Sequence, residues 1–261
     1  MSSNPMPSFI NIRVIVALMM REMTTRYGKS AGGYVWALLE PIGMIAVLVI
    51  VFSQALRSPQ LGDSFPLFFA TGYIAFGFYG ELSNFASAAI AMNKPLLTLP
   101  RVTPIDAILA RFLLQFITLC VTGVIILSGI MWIEDIHTVI DYASILKAIG
   151  YASILGLGVG ITNVVIFSFV PTYQNVWKII TRPMFLISGV FFIMEDLPGP
   201  LQDILWWNPV IHATGLMRKG FFPLYDANFV SELYIGGLGF GFLTLGLFLV
   251  YSNRSFIVDR P

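Results

Sequence analysis

Long runs without Asp, Glu, Lys or Arg dominate this sequence. Five stand out by length: Phe112 to Ile133 (22 residues), Ala148 to Trp177 (30), Leu233 to Asn253 (21), Ser64 to Gly80 (17) and Pro41 to Leu56 (16). A helix crosses the hydrocarbon core of a bilayer with about 20 mostly apolar residues. The pattern therefore predicts five transmembrane helices, the first of which reaches spanning length if it begins before Glu40.

A sixth apolar run, Pro183 to Met194, has only 12 residues and is followed at once by Glu195 and Asp196. That length is too short to cross a bilayer alone, so we expect a short, broken or re-entrant fifth span. The region 197–231 after it is polar and aromatic. We expect it to dip back towards the membrane, where protein or water must satisfy any irregular backbone.

The composition supports a membrane protein. Hydrophobic residues make up 57% of the chain and charged residues 11%, with a mean hydropathy of +0.81. Soluble domains carry about 25% charged residues, so this chain cannot hide its apolar surface in one water-facing core. The net charge of +1 gives no basic surface for nucleic acid. The single cysteine, Cys120, excludes an internal disulfide framework.

The distribution of Lys and Arg predicts the orientation. With the N-terminus in the cytoplasm and six crossings, the inner segments hold 11 of the 15 basic residues and the outer segments hold four: Arg57, Lys147, Arg218 and Lys219. Most acidic residues fall on the outer side. This positive-inside bias places both termini in the cytoplasm and supports an even number of crossings.

No motif for nucleotide binding or metal-dependent catalysis is found in the sequence. Its two histidines, His137 and His212, fall in different predicted outer loops. We therefore expect no catalytic site, no metal site and no cofactor bound by this chain. An ion-coupled carrier would need titrating groups inside the membrane, where Glu40 and Glu81 are the candidates.

Two segments predicted on the cytoplasmic side have unusual patterns. Within residues 9–30 an interfacial helix is expected, with an apolar stripe that includes Ile12, Val16 and Met20 and with arginines at the lipid headgroups. The link 92–106 contains three prolines and exposes apolar side chains beside Lys94 and Arg101, which suggests a contact surface. An anchor or a loop pressed against the bilayer are the alternatives.

Small and aromatic residues mark further contacts. The pairs Gly156/Gly160 and Gly237/Gly241 have the spacing that permits close helix packing, within one subunit or at a dimer seam. The outer region 197–231 concentrates aromatic rings, which suit either a headgroup belt or stacking against sugars.

Two further motifs carry a resemblance to a known family. The first is Arg-Glu-Met-Thr-Thr-Arg-Tyr-Gly-Lys-Ser-Ala-Gly-Gly-Tyr-Val-Trp-Ala-Leu-Leu-Glu-Pro, from Arg21 to Pro41. The second is Trp207-Asn208-Pro209 followed by Arg218-Lys219-Gly220-Phe221-Phe222. Both resemble motifs of the type 2 ABC exporter permeases, in particular the capsular polysaccharide export branch, and the resemblance covers nearly the whole chain. Between Asn208-Pro209 and Arg218 this chain has Ala213-Thr214-Gly215 where the family pattern leads us to expect an acidic residue.

The resemblance implies a fold. It is an all-α polytopic membrane protein forming a single transmembrane domain over residues 1–261, with six transmembrane helices, an N-terminal interfacial helix, a short broken fifth span and re-entrant periplasmic helices.

The resemblance also implies a function and partners. Two copies form a homodimeric pore in the bacterial inner membrane, and each binds one cytoplasmic ATPase subunit, which holds the ATP and Mg. The complex moves a lipid-linked polysaccharide outward with a periplasmic polysaccharide co-polymerase and an outer-membrane export protein. Exporters of O-antigen, teichoic acid or small drugs are the alternatives within the family.

The site residues follow from the same resemblance. The residues expected to couple to the ATPase are Lys94, Leu96, Leu97, Leu99, Arg101, Arg21 and Arg26. Those expected to line or gate the channel are Tyr34, Trp36, Glu40, Tyr73, Trp206, Trp207, His212 and Arg218.

Overall fold

The computed structural model describes residues 12–27, 32–97 and 102–259, without the side chains of Arg26, Tyr27, Ser255, Val258 and Asp259. The helices in this part of the chain are α1 (Ile12–Tyr27), α2 (Gly33–Ala55), α3 (Phe65–Ser87), α4 (Ala89–Leu97), α5 (Pro104–Ile133), α6 (Tyr142–Phe169), α7 (Tyr173–Ile187), α8 (Gly199–Leu205), α9 (Pro209–Phe221), α10 (Glu232–Ser252) and α11 (Arg254–Asp259), with a 3-10 helix at Met194–Asp196. No strand occurs among these residues, so the described chain is all-α.

Within the described ranges, four helices are long and apolar enough to cross a membrane: α2, α5, α6 and α10. Helix α2 begins at Gly33, before Glu40, and has 23 residues. The prediction that this helix starts before Glu40 and so reaches spanning length is confirmed. Helix α3 has 23 residues, most of them buried, and packs against α2, α5, α6 and α9.

The boundary between the fourth and fifth predicted spans is corrected by the structure. Helix α6 ends at Phe169, and α7 begins at Tyr173 rather than at Pro183. Pro171 lies in the turn between them, where a residue without a backbone N–H cannot continue the helix. At about 1.5 Å per residue, the 15 residues of α7 measure about 22 Å, which is short for a bilayer core of about 30 Å.

Local sequence explains where the helices begin. The Ser64 hydroxyl accepts the N–H of Leu67 at the start of α3, and Thr103 forms a reciprocal capping box with Asp106 at the start of α5. Asp141 caps α6 through the N–H groups of Ala143 and Ser144. Such caps satisfy backbone donors that the first turn leaves unpaired.

Glycines allow α6 to pack closely on both sides. A Cβ at Gly156 would lie 2.7 Å from the carbonyl oxygen of Tyr79 in α3, and one at Gly158 would lie 2.6 Å from the backbone nitrogen of Leu243 in α10. The prediction of close packing within one subunit is therefore confirmed for Gly156/Gly160. Gly237 and Gly241 have nothing within 4 Å of a Cβ and lie on an open face of α10.

The orientation of α1 differs from the predicted stripe. Ile15 and Leu18 are buried against Ala110 of α5, whereas Ile12, Val16 and Met20 are exposed. The protein core selects the face of Ile15 and Leu18, and the apolar stripe remains on the outside of the subunit.

Candidate functional site

A groove runs between α2, α3 and α7. Its cavity is about 520 Å³ and is lined by Glu40 from α2, Tyr73 and Glu81 from α3, and Arg182 and Phe185 from α7. The fold thus brings together Glu40 and Tyr73, two of the predicted channel residues, from different helices.

The two carboxylates of the groove have different surroundings. Glu40 is exposed, whereas Glu81 is half-buried and accepts a hydrogen bond from the side-chain amide of Gln115 in α5. A second, narrow cavity lies between α2, α3 and α5, and Glu40, Glu81 and Gln115 are among the residues that line it. The two acids therefore face the groove and the interior between helices, as expected for carboxylates within apolar spans.

Aromatic rings form the wall between α3 and α7. The ring of Phe185 lies 6.1 Å from that of Tyr73, 5.1 Å from that of Phe76 and 5.1 Å from that of Phe191, in each case edge to face. The edge-to-face arrangement is favourable because the positive edge of one ring meets the negative face of the other. This wall gives the groove an apolar and largely uncharged side.

The two helices that border the groove, α2 and α7, expose most of their apolar side chains. No residue of α7 in the described chain is buried, and on α2 only Ile45 and Leu48 are. Tyr34 and Trp36 are 52% and 62% exposed near the start of α2, and neither is among the described residues that line the groove. Exposed apolar faces of this size mark contact with lipid or protein.

Trp206, Trp207 and His212 lie together at the junction of α8, α9 and α10. Trp206 stacks on Tyr234 with ring centroids 4.9 Å apart, and its indole Nε1 donates to the carbonyl of Phe229 at 2.9 Å. Trp207 is exposed. Trp206 thus joins two helices, while Trp207 presents its ring to the surroundings.

His212 is fully buried in this cluster. Its Nδ1 accepts the N–H of Ser231 at 3.2 Å, so its Nε2 carries the proton and donates to the carbonyl of Trp206 at 2.9 Å. Burial lowers the pKa of His212. This side chain does not reach a surface from which it could line a channel, and its contacts give it a packing role.

Arg218 is also buried, and here too the structure differs from a channel-lining position. Its Nη1 donates to the carbonyl of Phe192 at 2.7 Å and its Nη2 to the carbonyl of Val190 at 3.0 Å. The guanidinium lies 4.1 Å from the centroid of the Phe68 ring. Backbone carbonyls and a ring face therefore contact Arg218. The acidic residue that the family pattern led us to expect on α9 is absent from this chain.

The motif Trp207-Asn208-Pro209 has a clear local role. The Asn208 side chain accepts the N–H of Val210 at the start of α9, and its amide donates to the carbonyl of Ile187 and to the hydroxyl of Ser188. Asn208 therefore caps α9 and joins it to the end of α7.

At the other end of the bundle, α1, α4 and α5 meet in a corner held by polar contacts. Arg21 donates to the side-chain oxygen of Asn93 at 3.1 Å, and Glu22 pairs with Arg111 at 3.4 Å. Arg21, a predicted coupling residue, thus ties α1 to α4. The side chain of Arg26 lies outside the described residues.

The link after α3 forms a helix, α4, but its apolar residues are distributed differently from the prediction. Leu97 is only 6% exposed, and Leu96 is half-buried against the Ile15 and Leu18 cluster. The outer face of α4 instead carries Met92 and Pro95, with Lys94 half-exposed. The expectation of an exposed apolar side chain is therefore wrong for Leu97, which packing against its own subunit covers, whereas Leu96 is covered only in part. Leu99 and Arg101 lie outside the described residues.

Several polar residues at these sites were not among those selected from the sequence: Asn93, Arg111, Gln115 and Arg182. Only Gln115 gave a signal, as a side-chain amide near the start of a 22-residue uncharged run. The others become informative only when their partners on other helices are known.

Comparison with known proteins identifies the family. The model of the family described as ABC-2 type transporter matches residues 13–222. The chain is 31% identical over 242 residues to the polysialic acid transport protein KpsM of Escherichia coli, covering 92% of this chain and 93% of that protein. It is 32% identical over 244 residues to the capsule polysaccharide export inner-membrane protein CtrC of Neisseria meningitidis serogroup A, covering 92% and 91%.

The protein BexB of Haemophilus influenzae, also described as a capsule polysaccharide export inner-membrane protein, is 28% identical over 239 residues, covering 91% of this chain and 90% of that protein. The family match extends from α1 to the end of α9, and so includes the groove and the α1–α4–α5 corner. The chain belongs to the ABC-2 type transporter family.

Proposed function

We propose that this chain is the permease subunit of an ATP-driven exporter that moves lipid-linked capsular polysaccharide across the inner membrane. The observation that carries the proposal is the family match together with relatives described as capsule export proteins along more than nine tenths of the chain. The groove between α2, α3 and α7 supplies a candidate wall for the path.

The proposed topology has six crossings, by α2, α3, α5, α6, α7 and α10, with both termini in the cytoplasm. It is supported by the concentration of basic residues in segments that become cytoplasmic in this arrangement. In it α8 and α9 form the re-entrant region on the periplasmic side, after the short α7.

The exposed apolar faces of α2 and α7 support a homodimer with the channel between the two subunits. Sugar chains pass over aromatic and weakly polar surfaces without a deep binding well, because rings contact C–H faces of sugars broadly. We assign that contact to Tyr73 and Phe185 in the groove, and to Tyr34, Trp36 and Trp207, which are exposed outside it.

The corner formed by α1, α4 and α5 is the proposed contact for the ATPase, with one ATPase subunit on each permease. The outer face of α4, with Met92, Lys94 and Pro95, would fit a groove on that partner. Arg21 and Glu22 hold α1 against α4 and α5, so a movement of α4 is transmitted to two other helices. ATP and Mg belong to the ATPase, and a periplasmic co-polymerase and an outer-membrane export protein complete the proposed assembly.

Co-purification with the ATPase encoded beside this chain tests the proposal. We expect a complex of two permeases and two ATPases whose ATP hydrolysis in nanodiscs is abolished or strongly reduced by Met92→Asp. The matched control is Val139→Asp, which places the same charge at an exposed position between α5 and α6. Absence of an ATPase complex, or equal effects of both substitutions, would refute the docking assignment and make an ion-coupled carrier the next hypothesis to test.

A further inference from the structure

The last described helix, α11 (Arg254–Asp259), has only six residues. It follows a break after α10, where Asn253 takes φ −113° and ψ 22° and the backbone leaves α-helical geometry. The carbonyl of Asn253 then accepts the N–H of Ile257 at 3.0 Å, which starts the new helix. Isolated helices shorter than about 12–15 residues are marginal in water, so contacts with neighbouring helices must hold α11 in place.

Two adjacent side chains of α11 supply those contacts. Ile257 is only 3% exposed and belongs to an apolar cluster that includes Leu97 of α4 and Val250 of α10. The ring of Phe256 stacks on the ring of Phe169 at the end of α6, with centroids 4.4 Å apart. Helix α11 therefore packs against α4, α6 and α10 together.

Helix α4 lies between this apolar cluster and the surface proposed for the ATPase. Its inner side carries Ile90 and Leu97, which are buried in the same cluster as Ile257. Its outer side carries Met92 and Lys94. Because the interior of a protein is close-packed and transmits strain, a displacement of α4 by a partner on its outer side acts on α11.

On the other side of α11, α6 and α10 are joined closely. A Cβ at Gly246 of α10 would lie 3.0 Å from the backbone nitrogen of Thr162 in α6, and one at Gly158 of α6 would lie 2.6 Å from the backbone nitrogen of Leu243 in α10. Backbones in such close contact cannot slide past one another without repacking. A displacement that reaches either helix through α11 is therefore passed to both.

We propose that α11 is a mechanical link between α4 and the pair formed by α6 and α10, and that Ile257 is its positioning residue. The inference rests on the proposed function, because the ATPase is the partner that moves α4. Movement of α4 then reaches α1 and α5 through the polar contacts of Arg21 and Glu22, and reaches α6 and α10 through the apolar contacts of α11. Loss of the second route leaves ATP hydrolysis intact and uncouples it from export.

Amide hydrogen exchange in the full-length permease, reconstituted alone in nanodiscs, tests the packing of α11 on α4. Ile257→Ser removes a buried aliphatic side chain, and we expect exchange in residues 89–97 to accelerate at least about ten-fold. Exchange in α9, which is not part of this cluster, should stay as in wild type. The matched control is Arg254→Ser, at an exposed position of α11, which should change exchange in α4 by less than about two-fold.

Unchanged exchange of α4 in Ile257→Ser would overturn the proposal. Equal acceleration in α4 and α9 would also overturn it, because general destabilisation of the protein would then account for the effect. Ile257→Ala, a milder change, should accelerate exchange of α4 in the same direction and serves if the serine variant does not accumulate in the membrane.

Co-expression with the ATPase encoded beside this chain tests the coupling role. We expect Ile257→Ser to form the complex and to keep ATP hydrolysis within about two-fold of wild type, while capsule export falls at least about five-fold. Ile257→Val retains most of the apolar volume and should retain export. Hydrolysis and export that fall together would reduce Ile257 to a structural role and overturn the proposal, as would normal export in Ile257→Ser.

The two experiments separate this inference from the proposed function. Faster exchange of α4 in Ile257→Ser, in a chain that forms no ATPase complex, would support the packing of α11 on α4 and refute the exporter. An intact wild-type complex, with unchanged exchange of α4 in Ile257→Ser, would refute the mechanical link alone.

Discussion

The guanidinium of Arg218 in α9 donates to the backbone carbonyl of Val190, 3.0 Å away, just beyond the end of α7. Thr214 adds a hydrogen bond to the carbonyl of Ser188, where the chain turns through Gly189 at φ 75°. Helix α9 thus holds the segment after α7 in place, while α7 itself has no buried residue in the described chain. The α7 wall of the groove is thus fixed at the end next to α9 and little restrained along its length.

Replacing Arg218 by methionine should destabilise the protein strongly. The substitution leaves the carbonyls of Val190 and Phe192 without their donor, and hydrogen bonds to charged groups contribute about 1.5–3 kcal/mol each. A fall in the thermal unfolding temperature in detergent measures the effect. Lys219→Met, at the half-exposed neighbouring position, is the control and should change it little. An Arg218→Met variant that unfolds at the wild-type temperature would show that Arg218 does not hold the segment after α7 in place.

Alanine at Gly158 should destabilise the contact between α6 and α10. The added Cβ would meet backbone nitrogen at 2.6 Å and backbone oxygen at 2.9 Å, and backbone cannot move aside as a side chain does. Overpacking of this kind costs about 1–3 kcal/mol. Gly237→Ala, with nothing within 4 Å, should be neutral or slightly stabilising. Thermal unfolding of the two variants in the same detergent decides between them.

Breaking the pair of Glu22 and Arg111 should loosen α1 from α5. Their side chains are only 13% and 8% exposed, and removal of one partner from a buried pair costs up to about 3–5 kcal/mol. Glu22→Gln should therefore lower stability and expose α1 to limited proteolysis. Glu134→Gln, at the exposed end of α5, should do neither. Equal protease resistance of wild type and Glu22→Gln would show that apolar contacts alone hold α1.

Removal of the Tyr73 ring should reduce capsule export several-fold while the protein remains in the membrane. The ring forms part of the groove wall with Phe185, and alanine removes its aromatic face. Tyr73→Phe keeps that face and should retain export. Tyr251→Ala, on the exposed side of α10, is the control. Export that survives Tyr73→Ala at normal expression would exclude this wall from the path.

Acid should destabilise the cluster around His212. Burial lowers the pKa of His212 in the folded chain, so the unfolded chain binds a proton first as the pH falls below the ordinary histidine pKa of about 6.5. Stability is therefore retained above that pH and decreases below it. Unfolding temperatures of wild type and His212→Gln at pH 7.5 and pH 5.5 measure this. A pH dependence that is the same in both would show that other groups cause it.

The sequence alone determined the class of protein and most of its helices. Runs of 16 to 30 uncharged residues can be accommodated only by a bilayer, and proline and polar residues between them set the helix ends. The motif around Asn208 and Pro209 was selected by its resemblance to a family motif, and its role as the start of α9 has a local cause, a capping side chain beside a residue that lacks an N–H. These are local properties of the chain, so no tertiary structure is required to detect them.

Tertiary structure decided which faces are used. Leu97 was expected to contact the ATPase, and Ile15 lies off the predicted apolar stripe of α1. The fold buries both because neighbouring helices cover those faces. It placed Arg218 and His212 inside the protein, and it brought Glu40, Tyr73 and Arg182 to one groove from three helices. Hydropathy indicates whether a side chain tends to avoid water, and it does not indicate which residues that side chain contacts. Contacts between distant segments can therefore be determined only from the fold.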